Sequence, residues 1–317
     1  MKLHRTIRLF LLATLTFLLV SACARNGSHN TVSHSLQPSP SECRIVKHAN
    51  GETCVPYHPQ RVVVLDTSPL DAVLALGVKP VGSPELTTFK SYPAAQISGI
   101  EIVGDETQPN LEKILLLKPD LILTTRYAPK IIYDKLSQIA PAVMAPSGDV
   151  AWKDDLIIYA EALGKTEAAE QLLNDYQKRI KEFQFQMGDR LKHTKVSVVV
   201  AVSQYVRIYL QDSFLSSVIR DTGLPRPPAQ EQEGLAKEIS LETLSIADGD
   251  VMFVMVANSK DSALREVQRH LLWSQLNAVR QGRVYAVNYD TWIAQRNIGG
   301  ANRILNDLFK YLVEESR

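Results

Sequence analysis

A short pattern occurs twice in the chain, 130 positions apart. Asn110–Leu123 aligns with Ser240–Phe253, with Leu111 and Leu241, Glu112 and Glu242, and Asp120 and Asp250 identical. The polar and apolar positions match through most of the rest. Each copy reads as a capping Asn or Ser, a short helix, a Pro or Gly break, an Asp and then a buried strand. Two copies on either side of the middle predict two lobes with similar substructures. At 45% hydrophobic, the chain has enough apolar side chains to build a real core, which excludes disordered and fibrous classes.

The flanking sequence agrees. Val62–Leu65, Val78–Val81, Leu121–Leu123, Val143–Ala145, Val196–Val202, Val251–Val256 and Val284–Val287 are apolar runs of strand length. Amphipathic stretches lie between them, such as Pro69–Leu76, which ends at Gly77. Strands alternating with helices predict an α/β fold of two Rossmann-like lobes with mainly parallel sheets. The longest helical pattern runs from Asp154 to about Arg190. Gly164 breaks it once, and Thr166 starts a second helix carrying Leu172, Leu173, Tyr176, Ile180 and Phe183 at helical spacing. At 1.5 Å per residue that second helix spans roughly 30–38 Å, enough to bridge separate bodies. The expected organisation is an N-terminal lobe over 42–153, an interlobe helix over 154–190 and a C-terminal lobe over 191–317. The ligand cleft lies between the lobes and hinges little.

Ahead of the lobes, Lys2, Arg5 and Arg8 precede the apolar run Leu9–Val20. That run is too short for a bilayer core of ~30 Å, which takes about 20 residues. It fits the apolar region of a secretory signal over 1–22. Val20-Ser21-Ala22-Cys23 resembles the bacterial lipobox, which implies that Cys23 is acylated and becomes the first residue. Residues 23–41 then read as a flexible tether rich in Ser, Asn, His and Pro. The expectation is an exported protein on a periplasmic or cell-surface face, held to the membrane by Cys23. The whole chain carries 35 Lys+Arg against 34 Asp+Glu, and loss of the signal leaves 32 against 34. Neither balance gives a reason to expect nucleic acid as a partner.

Cys43 and Cys54 are the other two of three cysteines, and they bracket Asn50-Gly51, a strong hairpin-turn signal. An even pair in an oxidising compartment predicts a disulfide stapling that hairpin. A metal site with His48 and His58 is the rival, but no spacing here matches a zinc pattern.

Several segments together resemble the bacterial periplasmic substrate-binding lipoproteins that feed ferric siderophores to ABC importers. They include Pro59–Leu65, Ala75–Gly82, Asn110–Leu123, Ile139–Val143, Trp152–Leu156, Leu163–Lys165, Gly282–Tyr285 and Asp290–Trp292, in that order. The resemblance covers nearly all of the chain from Cys23 onwards. It implies two α/β lobes, an interlobe helix and a shallow ligand cleft. It also implies that one exposed glutamate per lobe, Glu112 and Glu242, docks onto arginines of a permease dimer. At the second position of a helix, either carboxylate would also favour the positive end of the dipole by ~0.3–1 kcal/mol. A cystine in the N-terminal hairpin is not general to that family.

A ferric siderophore already fills the iron's coordination shell. Its binder therefore supplies no metal ligands and no cofactor, only cations and aromatic faces at strand ends. Arg126 and Tyr127 follow the Leu121–Leu123 strand, and Trp152 follows the next. Tyr205 and Arg207 follow Val196–Val202 with the same side-chain parity. Trp292 and Arg296 follow the last strand, and Arg303 is a further candidate or a solvated helix charge. Pro225-Arg226-Pro227-Pro228 reads as a structural loop at the cleft rim. Several arginines favour an anionic chelate. Haem or cobalamin is the alternative ligand. No Gly-x-Ser-x-Gly elbow, phosphate-binding glycine loop, His-Glu-x-x-His or dinucleotide fingerprint occurs, which weighs against an exported enzyme. The protein is expected to act as a monomer.

Overall fold

The computed structural model describes residues 43–85, 90–146, 149–256 and 261–315, all within one compact unit spanning Gln37–Arg317. Cys23, the signal and the tether lie outside the described residues.

The chain begins with an antiparallel hairpin, β1 (Cys43–His48) and β2 (Gly51–Pro56). Val46 and Val55 of this hairpin are fully buried. Then come β3 (Val62–Val64), α1 (Thr67–Ala75), β4 (Gly82–Ser83), β5 (Glu101–Ile102), α2 (Leu111–Leu116), β6 (Leu121–Thr125), α3 (Lys130–Ile139) and β7 (Ala142–Ala145). The five strands after the hairpin form one parallel sheet in the order β5-β4-β3-β6-β7. Its central strands are buried on both faces, which is why they read as unbroken apolar runs. The strand expected at Val78–Val81 instead forms at Gly82–Ser83; here a Cβ on Gly82 would meet the Leu117 side chain, so glycine permits close packing.

α4 (Trp152–Leu163) and α5 (Thr166–Met187) connect this sheet to the second, continued by a 3-10 turn, Gly188–His193. α4 starts two residues before the expected lobe boundary and ends at Gly164 with φ 70°, as the glycine break predicted. α5 has 22 residues and buries Ala169, Tyr176, Ile180, Phe183 and Met187 along one stripe.

The second lobe holds β8 (Val196–Val202), β9 (Tyr205–Tyr209), α6 (Phe214–Thr222), β10 (Ala236–Ser240), β11 (Val251–Val256), α7 (Asp261–Arg269), β12 (Val284–Ala286) and α8 (Ile298–Phe309). Its order is β10-β9-β8-β11-β12, the same sequence-order arrangement as in the first lobe. β8, β11 and β12 run parallel, whereas β9 pairs antiparallel with both β8 and β10. Ser203 and Gln204 are not a loop leaving the sheet but a tight hairpin turn, with Gln204 at φ 71°.

The repeated segment has a repeated job. Asp120, just before β6, accepts from the backbone N–H groups of Gln60 and Arg61, just before β3. Asp250, just before β11, accepts from Lys195 N–H, just before β8. Each carboxylate ties the starts of two neighbouring central strands. Asn110 caps α2 by accepting from Lys113 N–H, and the Ser240 copy opens a 3-10 turn, Leu241–Ala247, instead of an α-helix.

Candidate functional site

In an open sheet ordered this way, the connections from the two central strands leave in opposite directions and open a crevice at their C-terminal ends. A cavity of about 590 Å³ lies there, over the ends of β3 and β6. Leu65–Thr67 and Thr124–Thr125 form its N-lobe floor, and Glu85, Glu106 and Asp149 stand above. Tyr209, Phe214, Leu215, Leu235 and Ile293 form the facing wall from the C-lobe.

Arg296 joins the two walls. Its guanidinium is 2.5 Å from the Asp66 carboxylate and 3.9 Å from that of Asp149. Burial alone would lower its pKa, but Asp66, Asp149 and Glu106 outweigh that and raise it, so it stays charged. Asp66 is fully engaged. It also accepts from Ser68 N–H as the cap of α1 and from the Thr125 hydroxyl at 2.7 Å. Tyr127 is half exposed and hydrogen-bonds Asp149 through its hydroxyl. Its ring lies within reach of two guanidiniums, Arg296 at 5.3 Å and Arg126 at 5.6 Å. Burial and the Asp149 partner push the phenol pKa up. Burial, with repulsion from Asp66, likewise raises the Glu106 carboxyl against the opposing pull of Arg296.

The other candidates sit differently. Arg126 is exposed beside Tyr127 and does not line the cavity. Tyr205, Arg207 and Tyr209 share one face of β9, as parity predicted, but only Tyr209 borders the cavity. Arg207 pairs with Glu238 directly across on β10 at 2.8 Å. Trp152 does not face the cleft. It has no exposed surface, packs edge-on against Tyr176 and Phe214, and donates its indole N–H to Ser217 at 3.1 Å. An indole at the first turn of α4 meets both α5 and α6, so it is core. Trp292 borders the cavity yet is also fully buried, its ring tilted against Phe253 at 4.9 Å and its indole N–H donating to Asp307 at 2.7 Å. Arg303 serves the interlobe contact, over the Tyr92 ring at 4.9 Å. Arg226, at the expected structural loop, is buried among the carbonyls of Tyr209 and Gln230, and burial lowers its pKa to about 10.

The model of the periplasmic binding protein family matches residues 62–291. The chain belongs to that family. Among relatives of this periplasmic binding protein, a probable siderophore-binding lipoprotein of Bacillus subtilis is 33% identical over 99% of both chains. The achromobactin-binding periplasmic protein of Dickeya dadantii is 33% identical over 80% of this chain and 86% of that one. Among solved structures, Staphylococcus aureus SirA complexed with staphyloferrin B superposes with a TM-score of 0.77 at 30% identity, covering 85% of this chain and 98% of that one.

The remaining site residues of this binding protein lie away from the cleft. Glu112 and Glu242 are exposed at the starts of α2 and the 3-10 turn, the equivalent places in the two lobes. The Ser240 hydrogen bond lowers the Glu242 carboxyl pKa and keeps it charged. Cys43 and Cys54 are disulfide-bonded, with Cα atoms 5.5 Å apart. Cleft residues missed from the sequence include Asp66, Glu85, Glu106, Asp149 and Tyr209. Asp66 directly follows the β3 run, a position where an anionic chelate calls for a cation, and Tyr209 continues the parity of Tyr205 and Arg207 at the far end of β9, away from the β8–β9 turn.

Proposed function

We infer that this protein captures a ferric siderophore and delivers it to an ABC importer. The iron is cargo whose coordination shell the chelator fills, so the cleft needs only charges and faces that fit the outside of the chelate. One observation carries the reading: the cavity lies at the crevice over β3 and β6, within the 300–1,000 Å³ range of small-molecule sites, with Tyr127 and Arg296 presented to it. A relative named for siderophore binding and matching nearly the whole chain supports it. The lipid anchor at Cys23 and docking of Glu112 and Glu242 onto a permease dimer belong to the same proposal. A titration of the purified protein with ferric hydroxamates, citrate and catecholates, and with haem, tests it, since Trp292 borders the cavity and its fluorescence reports occupancy. Saturable quenching by a ferric siderophore is expected, weakened about tenfold by Tyr127→Ala, or ~1.4 kcal/mol. Quenching by haem and by none of the siderophores overturns the reading.

A further inference from the structure

The cleft carries more acid than base. Four carboxylates line its N-lobe side, Asp66, Glu85, Glu106 and Asp149, against one lining guanidinium, Arg296. Arg296 is already held by Asp66 and Asp149. Arg207, on the cavity-facing side of β9, is held by Glu238. Among the described residues no lysine or arginine comes within 4 Å of Glu85 or Glu106; Glu85 is exposed, and Glu106 is partly desolvated and feels Arg296 only at longer range. The three internal segments outside the described residues contain a single ionisable side chain, Lys260. Counting it together with the exposed Arg126, the acids still exceed the cations. The facing wall is apolar and aromatic, from Tyr209, Phe214, Leu215, Leu235 and Ile293.

A cavity walled by protein focuses such an imbalance, because charge there is screened less than in open water. A tris-catecholate or carboxylate chelate of iron, bearing negative charge on its surface, would bring like charge against Glu85 and Glu106. A chelate with a protonated amine would meet those two carboxylates and the Tyr127 ring, while its methylene linkers covered the apolar wall. On the reading that the cleft takes a ferric siderophore, we propose that it selects cationic chelates. The class is a neutral ferric trishydroxamate core bearing a pendant ammonium group. Local charge, rather than the arginines visible in the sequence, sets this preference.

Ferrioxamine B carries that ammonium, and N-acetylation removes the charge while leaving the chelate unchanged. Affinities of the purified protein for the two, for ferric citrate and for a ferric tris-catecholate, measured by calorimetry at low and high salt, test the proposal. Ferrioxamine B is expected to bind at least about tenfold more tightly than its N-acetyl form. The gap should shrink as salt screens it, and shrink again in the Glu85→Gln, Glu106→Gln double variant, whose surface positions leave folding intact. Equal affinity for the two forms, or tightest binding of an anionic chelate, overturns the charge selection and leaves the siderophore reading standing. Binding of none of the four, with haem bound, overturns both.

Discussion

Asp71 marks where the two lobes meet. Its carboxylate, buried in α1, accepts from the Tyr92 hydroxyl at 2.9 Å and from the Gly300 backbone N–H at 2.9 Å, in the first turn of α8. The position suits an anion, because the first N–H groups of a helix have no partner within it. It also requires the paired glycines: a Cβ on Gly299 would collide with the Asp71 carboxylate, and one on Gly300 with the Gln295 carbonyl. Burial raises the Asp71 pKa although Gly300, Arg303 and Tyr92 act in the opposite direction. The folded protein therefore holds this proton more tightly than the unfolded chain. Its contribution is complete below the ordinary value of about 3.9 and is lost as pH rises through the raised one. Thermal melts of the wild type and Asp71→Asn between about pH 4 and 7 are expected to show the wild type's advantage narrowing as pH rises. A constant gap would place the titration elsewhere. At this scale the sequence was least informative. Tyr127 and Arg296 stand out in it as a strand-end aromatic and cation, and both reach the cavity. Trp152 and Trp292 look equally suited, yet packing of α5, α6 and Phe253 around them removes both rings from solvent. Exposure of a ring depends on elements tens of residues away, which no local pattern records.

Elements were more legible, with errors where backbone geometry gave no residue signal. The Val196–Val202 and Val251–Val256 strands match their apolar runs residue for residue. The hairpin formed where Asn50-Gly51 pointed, but its two-residue loop is Ala49-Asn50, because Gly51 at φ 112° already pairs with His48. Ala49 N–H donates outward to the Met144 carbonyl and the Thr53 hydroxyl to that of Ala142, fastening the hairpin to β7. The β8–β9 turn carries no residue signal, because Ser203-Gln204 contains neither glycine nor asparagine, although Gln204 adopts the left-handed conformation. The disulfide is the hairpin's covalent closure, and a loop of this size contributes about 3 kcal/mol by the chain-entropy model. Replacing both cysteines, Cys43→Ser with Cys54→Ser, is expected to lower the melting temperature by roughly 5–10 °C. Chelate affinity should be unchanged, since the hairpin packs on β7 and contributes no cavity residue. Loss of affinity with unchanged melting would reverse that division of labour.

On the scale of the whole molecule, the repeat 130 positions apart becomes a pseudo-symmetry. Both sheets have the same strand order, both Asp copies tie central strands, and Glu112 and Glu242 stand exposed at matching helix starts. Two residues four positions further on, Leu116 and Ile246, are also equivalent in the repeat and also exposed, at 78% and 43%. An exposed acid followed four positions on by an exposed apolar side chain therefore occurs once per lobe, which suits a partner built of two like halves that each offer a cation. Such matching costs nothing for ligand capture, because neither glutamate lines the cavity. It also makes the lobes' fixed relation matter. α4 and α5 hold them together along one side, and the Asp71–Gly300 contact adds a second tie, so the spacing of the two acids is set by the fold. Exposed charges contribute little to stability, so reversing them should leave the fold intact. Glu112→Arg with Glu242→Arg is accordingly expected to retain wild-type chelate affinity in vitro and to abolish iron-chelate uptake in cells, with each single reversal giving a partial loss. Uptake at the wild-type rate by the double variant would remove both glutamates from the transporter contact, whereas a fall in chelate affinity would tie them to the cleft instead.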